Sequence, residues 1–130
     1  MPYNKITSED GGIIFEAYGV LTDNDLDQLC MEWTQDEEVI KKLSYVLLDT
    51  SSVEVVNISG KQIEQNAKRD REAFDINPEI RLAIYSKNDL IFGLGRMWGM
   101  YACELYDHEK QCMVSRSRDD VLRWLRSDMP

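Results

Sequence analysis

The chain has 130 residues, 43% of them hydrophobic and 30% charged, which is the composition of an ordinary globular protein rather than a disordered one. Fifteen basic residues against 24 acidic ones leave a net charge of −9, which argues against nucleic acid and anionic membranes as partners, since both call for a basic face. No run approaches the ~20 apolar residues of a membrane span, and Met1-Pro2-Tyr3-Asn4-Lys5 lacks the apolar core of a signal peptide.

One domain is expected over residues 1–130, with an N-terminal hairpin over about 4–20 and a core over about 21–126. Glu9-Asp10-Gly11-Gly12 has turn chemistry, and residues 13–18 alternate after it. Ile13, Phe15 and Ala17 share one face and Glu16 lies on the other, so this strand is half buried and near an edge. Thr22 with Asp25 opens a first helix, whose Leu26, Leu29, Cys30 and Trp33 make one apolar stripe. Thr34 with Glu37 reads as a second cap, which predicts a kink or short helix to about Leu43.

Tyr45-Val46-Leu47-Leu48-Asp49 is apolar on both faces and predicts a central strand, broken by Thr50-Ser51-Ser52. The apolar residues 53–58 are too few to classify. Ser59-Gly60-Lys61-Gln62 reads as a cap with Gln62 closing the box, ahead of a helix to about Phe74 with a thin stripe of Ile63, Ala67 and Phe74. Residues 80–85 predict a second central strand, adjacent to the first. Ser86 with Asp89 then caps a helix over 89–104. Residues 111–116 predict a last strand, and Ser117 with Asp120 caps a last helix that points Val121, Leu122 and Leu125 inward. The order β-β-α-β-α-β-α-β-α predicts an α/β fold, with a mixed, mainly parallel sheet and helices packed on it.

Catalytic chemistry is hard to place on this chain. Gly93, Gly95 and Gly99 are spaced one residue too long for a dinucleotide fingerprint and lie inside a helix, where no free N–H groups meet a phosphate. His108, the single histidine, sits in the polar turn 107–110 and reads as solvated surface. Asp49 ends a central strand but stands alone, and reads as a cap or turn acceptor. Asp23, Asp25 and Asp27, with Asp36, Glu37 and Glu38, lack EF-hand spacing and read as a solvated acidic face. Lys61, Lys68, Arg69 and Arg71 make one basic side, read as a solvated helix face. Cys30, Cys103 and Cys112 have no metal-ligand spacing. Their odd number and apolar positions predict buried free thiols in a reducing compartment, and hence a cytoplasmic location. No catalytic residue, metal or cofactor is expected, so the chain is expected not to be an enzyme.

The helix over 89–104 says more. Leu90, Ile91, Leu94, Met97, Trp98, Tyr101 and Ala102 share the arc expected to face the core. The opposite arc holds Phe92, Gly95, Arg96, Gly99, Met100 and Cys103 where polar residues are expected. Interior glycines cost about 1 kcal/mol each relative to alanine, so something must approach this surface closely: a covering segment of the same chain or a second molecule. Phe92, Arg96, Gly99 and Met100 are the expected interface, most simply with a second copy in a homodimer.

The order of elements resembles the SpoIIAA-like superfamily, which includes the STAS domains and has the CRAL-TRIO lipid-binding domains as fold relatives. Residues 88–97, Asn88-Asp89-Leu90-Ile91-Phe92-Gly93-Leu94-Gly95-Arg96-Met97, with Val121-Leu122-Arg123-Trp124-Leu125, look like a group of small bacterial proteins of that superfamily. The resemblance covers about residues 12–126 and implies a non-enzymatic protein-interaction module of regulatory type. The CRAL-TRIO likeness implies, as the alternative, a domain for a small apolar or anionic ligand. STAS domains carry Asp-Ser-Ser-Gly at a helix N-terminus and are phosphorylated on a serine there. The matching stretch is Asn57-Ile58-Ser59-Gly60, in which only Ser59 and Gly60 agree. Ser59 is thus either a regulatory site, as the resemblance implies, or a helix cap, as its position implies.

Overall fold

The computed structural model describes residues 2–127, so Met1 and residues 128–130 of the expected domain lie outside the described part. Strand β1 (Tyr3–Thr7) and strand β2 (Gly12–Thr22) form the hairpin, turning through Gly11 at φ 88°. Only glycine takes that backbone without strain. Gly12 lies opposite Tyr45 in the next strand, and a Cβ there would fall onto the Tyr45 ring, so glycine is needed here too.

Helix α1 (Asp23–Thr34), helix α2 (Glu37–Lys42), strand β3 (Tyr45–Asn57), helix α3 (Gly60–Ile76), strand β4 (Arg81–Tyr85), helix α4 (Asp89–Ala102), strand β5 (Cys112–Ser115) and helix α5 (Arg118–Arg126) follow. The strands lie side by side in the order β1-β2-β3-β4-β5, antiparallel between β1 and β2 and parallel elsewhere. This is the expected α/β fold with a mixed, mainly parallel sheet. The segments 45–49 and 81–85 are the adjacent central strands, in the register Tyr45↔Arg81 to Asp49↔Tyr85.

Alternation along the strands divides them between two cores. Ile13, Phe15 and Ala17 of β2, Val46 of β3 and Leu82 of β4 face the larger one, which α1, α3 and α4 close with Leu29, Trp33, Ala67, Phe74 and Trp98. Ile14, Tyr45, Leu47, Ala83 and Tyr85 face the smaller one, closed by Val121 and Leu125 of α5 alone. Tyr45 Oη donates to both Asp10 oxygens at 2.8 and 2.9 Å, and Arg126 Nε donates to Asp10 Oδ2 at 2.8 Å, which ties α5 to the hairpin turn.

Several expectations need correction. Thr50-Ser51-Ser52 does not break β3, because the strand goes on pairing with β2 as far as Thr22↔Asn57. Two register shifts and Gly19, at φ 67°, absorb the irregularity. The cap of α2 is Asp36, whose carboxylate accepts from Glu38 N at 2.9 Å, since Thr34 is still the last residue of α1 and its hydroxyl turns back to donate to Cys30 O at 2.8 Å. Asn88 caps α4 in place of Ser86, accepting from Leu90 N and Ile91 N at 2.8 and 3.2 Å. Cys103 and Cys112 are not free thiols. The chain between them folds back through two 3-10 turns, and their sulfurs are joined across Cα atoms 6.3 Å apart, leaving Cys30 free and buried. The same fold-back takes His108 out of full solvation, its ring 4.9 Å from Phe74 and its Nδ1 3.0 Å from Gln111 Oε1.

Helix α4 is buried along both arcs rather than one. Gly95 is buried although it falls on the expected outer arc, while Leu90 of the expected core arc is 61% exposed. The reason is β5, against which α4 also packs: a Cβ on Gly95 would stand 2.9 Å from Val114 Cγ1 and 3.7 Å from Ile84 Cγ2. The close approach that the glycines permit is therefore within the chain at Gly95. Gly93 is exposed and would meet nothing within 4 Å. Gly93→Ala is expected to stabilise the protein by about 0.5–1 kcal/mol, whereas Gly95→Ala is expected to lower the denaturation midpoint despite the same gain in helix propensity. Equal shifts in the two midpoints would contradict the packing of α4 on β5.

Candidate functional site

Among the described residues, polar or accessible groups gather at several places. The first is the C-terminal end of the sheet, where the helix that follows β3 begins. Ser59 is the N-cap of α3, its Oγ accepting from Gln62 N at 3.1 Å. The reciprocal arm expected from Gln62 is absent, because Gln62 Nε2 donates to Asn66 Oδ1 at 2.5 Å. Asp23 of α1 supplies it instead, its carboxylate accepting from Ser59 N at 2.7 Å and from Ser59 Oγ at 2.8 Å. The cap thus fastens the first turns of α1 and α3 together. Just before it, Val20 and Val55 pair across β2 and β3, beyond the last residue of β4, and are 51% and 52% exposed. Asp49, at the end of the β3–β4 pairing, is a turn acceptor as well as an ion-pair partner: its oxygens take Ser51 N at 2.9 Å and Arg118 Nε at 3.0 Å.

The second is a groove of about 310 Å³ between α4 and the edge strand β5. Phe92, Arg96 and Gly99 are brought together in its lining, with Met113 and Val114 of β5 opposite and the joined cysteines at one end. Met100 is not part of it but stays on the surface, 36% exposed. Arg116 lies 4.3 Å above the Phe92 ring and its Nη1 pairs with Asp89 at 2.6 Å. Of the expected basic side, Arg69 is paired with Asp27 at 2.5 Å. Arg71 donates to Tyr101 O at 2.7 Å and stacks over Tyr106 at 4.0 Å.

The third was missed in the sequence. A hollow of about 90 Å³ lies inside the larger core, beneath α1, α3 and α4. At its inner end Asp70 Oδ2 accepts from Trp98 Nε1 at 2.6 Å, and Asp70 Oδ1 is 4.0 Å from Cys30 Sγ. Burial pushes the Asp70 carboxyl up to about 7, although the indole N–H and the guanidinium groups of Arg69 and Arg71 pull the other way. Burial, with the Asp70 charge beside it, likewise pushes the Cys30 thiol up, so it is a poor nucleophile. The signal in the sequence was spacing: Asp70 falls seven residues after Ile63 and four before Phe74, on the apolar stripe of α3.

No family model matches the chain, and no curated protein matches it. Solved structures do. The chain is similar to the anti-sigma factor antagonist SpoIIAA in its unphosphorylated form, with a TM-score of 0.64 and 5% identity over 98% of this chain and 99% of that one. It is also similar to the Bacillus cell fate determinant SpoIIAA in the phosphorylated form, with a TM-score of 0.60 and 7% identity over 95% of this chain and 99% of that one. The likeness is one of fold: this chain has the SpoIIAA, or STAS, fold along nearly its whole length. No helix among the described residues is long and apolar enough to cross a membrane.

Proposed function

We propose that the chain is a non-enzymatic, cytoplasmic protein-interaction module of regulatory type that also self-associates. The observation that carries this reading is the end-to-end correspondence with SpoIIAA, an anti-sigma factor antagonist. Charge supports a protein partner over nucleic acid, because −9 repels phosphate. The end of the sheet supports it too: the exposed Val20–Val55 pair adjoins the polar Asp23–Ser59 cap, an apolar centre beside a hydrogen-bonding rim. Phe92, Arg96, Gly99 and Met100 are the self-contact surface. Three of them line one groove along the edge strand, where unpaired backbone groups favour a second molecule. A native mass spectrum tests the reading. A doubled mass supports self-association, and a single mass at every concentration removes it.

Ser59 is a structural cap in this reading, and kinase control through it is not part of the mechanism. Asn57 and Ile58 stand where STAS domains carry aspartate and serine, and the Asp23 carboxylate already accepts from the Ser59 hydroxyl, so a phosphate on that oxygen would meet a like charge. Ser59→Ala is expected to cost about 1 kcal/mol. Ser59→Asp is expected to cost more than Ser59→Ala, although aspartate is itself a good cap, because it sets a second carboxylate against Asp23. Denaturation of both variants checks the order. Equal stability of Ser59→Asp and wild type would show that the negative charge is accommodated, and would reopen Ser59 as a regulatory site.

One observation favours a second reading, a binding domain for a small ligand of CRAL-TRIO-like type: the hollow beside Asp70. A small molecule carried through purification in the same mass spectrum would support it.

A further inference from the structure

The larger core is not filled at its centre. Leu48 and Ile84 face each other across β3 and β4, beneath the helices, yet both keep accessible surface, while Phe15 on the same face of the sheet is fully buried. The surface they keep faces the hollow. On α3 its wall is Ile63, Asn66 and Asp70, seven residues apart end to end and so about 10 Å along the helix axis. Since α3 runs back from the C-terminal ends of the strands, Asp70 lies at the inner end, and the half-buried Val56 and Ile58 lie at the outer end. That outer end is where ligands of open parallel sheets enter.

The polar groups of the lining divide sharply by what they have left to offer. Thr50 Oγ donates to Tyr85 O at 2.8 Å. Asn66 accepts from Gln62 and donates to Leu26 O at 3.4 Å. Asp70 is different: one oxygen takes the Trp98 indole, and the other has a thiol at 4.0 Å, too weak a donor to satisfy a carboxylate oxygen. A buried acceptor left in that state costs free energy that a ligand donor would recover. Arg69 and Arg71 do not supply it, being engaged with Asp27 and with Tyr101 and Tyr106. Trp33 and Trp98 add aromatic surface to the same lining, which favours a cationic donor over an anion.

We propose that the hollow binds a small aliphatic molecule that sets one hydrogen-bond donor, a hydroxyl or an ammonium, on Asp70 Oδ1 and lays its carbon chain between Leu48, Ile84 and Leu94. This rests on the ligand-binding reading above and names its ligand class. An engineered cavity of about 150 Å³ admits benzene, so the hollow here, at about 90 Å³, takes a short unbranched chain instead. An anionic ligand is disfavoured wherever Asp70 is ionised.

The test is titration at about pH 8.5, where the Asp70 carboxyl is ionised, with butylamine, butan-1-ol, methyl propyl ether and butanoate, read on the NMR signal of the Trp98 indole N–H. The amine and the alcohol are expected to shift that signal saturably, at concentrations at least tenfold below any effect of the ether or butanoate. A stronger response to one of the two donors decides between ammonium and hydroxyl. Asp70→Asn, which keeps an acceptor for Trp98, is expected to weaken butylamine at least tenfold and the ether by less than twofold. Ile84→Phe, which fills the hollow, is expected to abolish all four responses. Equal binding of the four by wild type would overturn the role of Asp70 and leave the hollow as a ligand site. Absence of any saturable response would overturn both, and an undiminished response in Ile84→Phe would place the binding elsewhere.

Discussion

Asp70→Asn is expected to gain stability over wild type as the pH rises, the gap widening by on the order of 3 kcal/mol between about pH 5 and pH 8. The carboxyl is fully buried and its folded-state value is raised from 3.8 to about 7, so the native state holds a proton that the unfolded chain gives up. A raised value on an acid means that its contribution to stability is complete below about 4 and is lost as the pH climbs toward 7. Asparagine keeps the shape and the acceptor for Trp98 but has no proton to lose. Other titrating groups are common to both proteins and cancel in the difference. Chemical denaturation of the pair across this range is the check, and a gap that does not change with pH would mean that the carboxylate is solvated or paired.

Leu82→Ala is expected to cost about 2–5 kcal/mol. Leu82 is 3% exposed, sits between β3 and β5 in the sheet, and packs in the larger core, where its loss leaves a void that neighbours on two sides cannot close. Ile84→Ala, two residues on and on the same face, is expected to cost less, because Ile84 is only half-buried whereas Leu82 is buried. Urea midpoints of the two variants test this directly. Equal losses would argue that Ile84 is as fully packed in solution as Leu82, and an unmoved midpoint for Leu82→Ala would deny β4 its central place.

Much of this architecture was legible because its signals are local. The apolar runs at 45–49 and 81–85 mark strands covered on both faces, and the hydroxyls of Thr22, Ser59 and Ser117 each accept from a backbone N–H at the start of a helix. What was missed depends on partners distant in sequence. Residues 50–57 look like a break by composition, and only pairing with the far half of β2 holds them extended. At 86–88 two good caps compete, and Asn88 takes the helix because the Ser86 hydroxyl is occupied with the backbone of Asn88. A helical wheel shows two apolar arcs on α4 but not that β5 lies against Gly95. The Cys103–Cys112 bond depends on a fold-back that no spacing rule marks. The hollow is the hardest case, since a void is the shortfall of many side-chain volumes from six elements, and Asp70 was visible only as one polar residue on an apolar stripe.

The proposed STAS-like interaction module is expected to meet a second copy of itself along α4 and β5. Sedimentation equilibrium of wild type and Gly99→Gln tests it most directly. A Cβ at Gly99 would stand 3.9 Å from Val114 Cγ2, an ordinary contact, so the variant is expected to fold with an unchanged circular-dichroism spectrum. Wild type is expected to approach twice the 15.1 kDa of one chain as concentration rises, and Gly99→Gln to remain at the single mass. Wild type holding the mass of one chain at every concentration would contradict the claim.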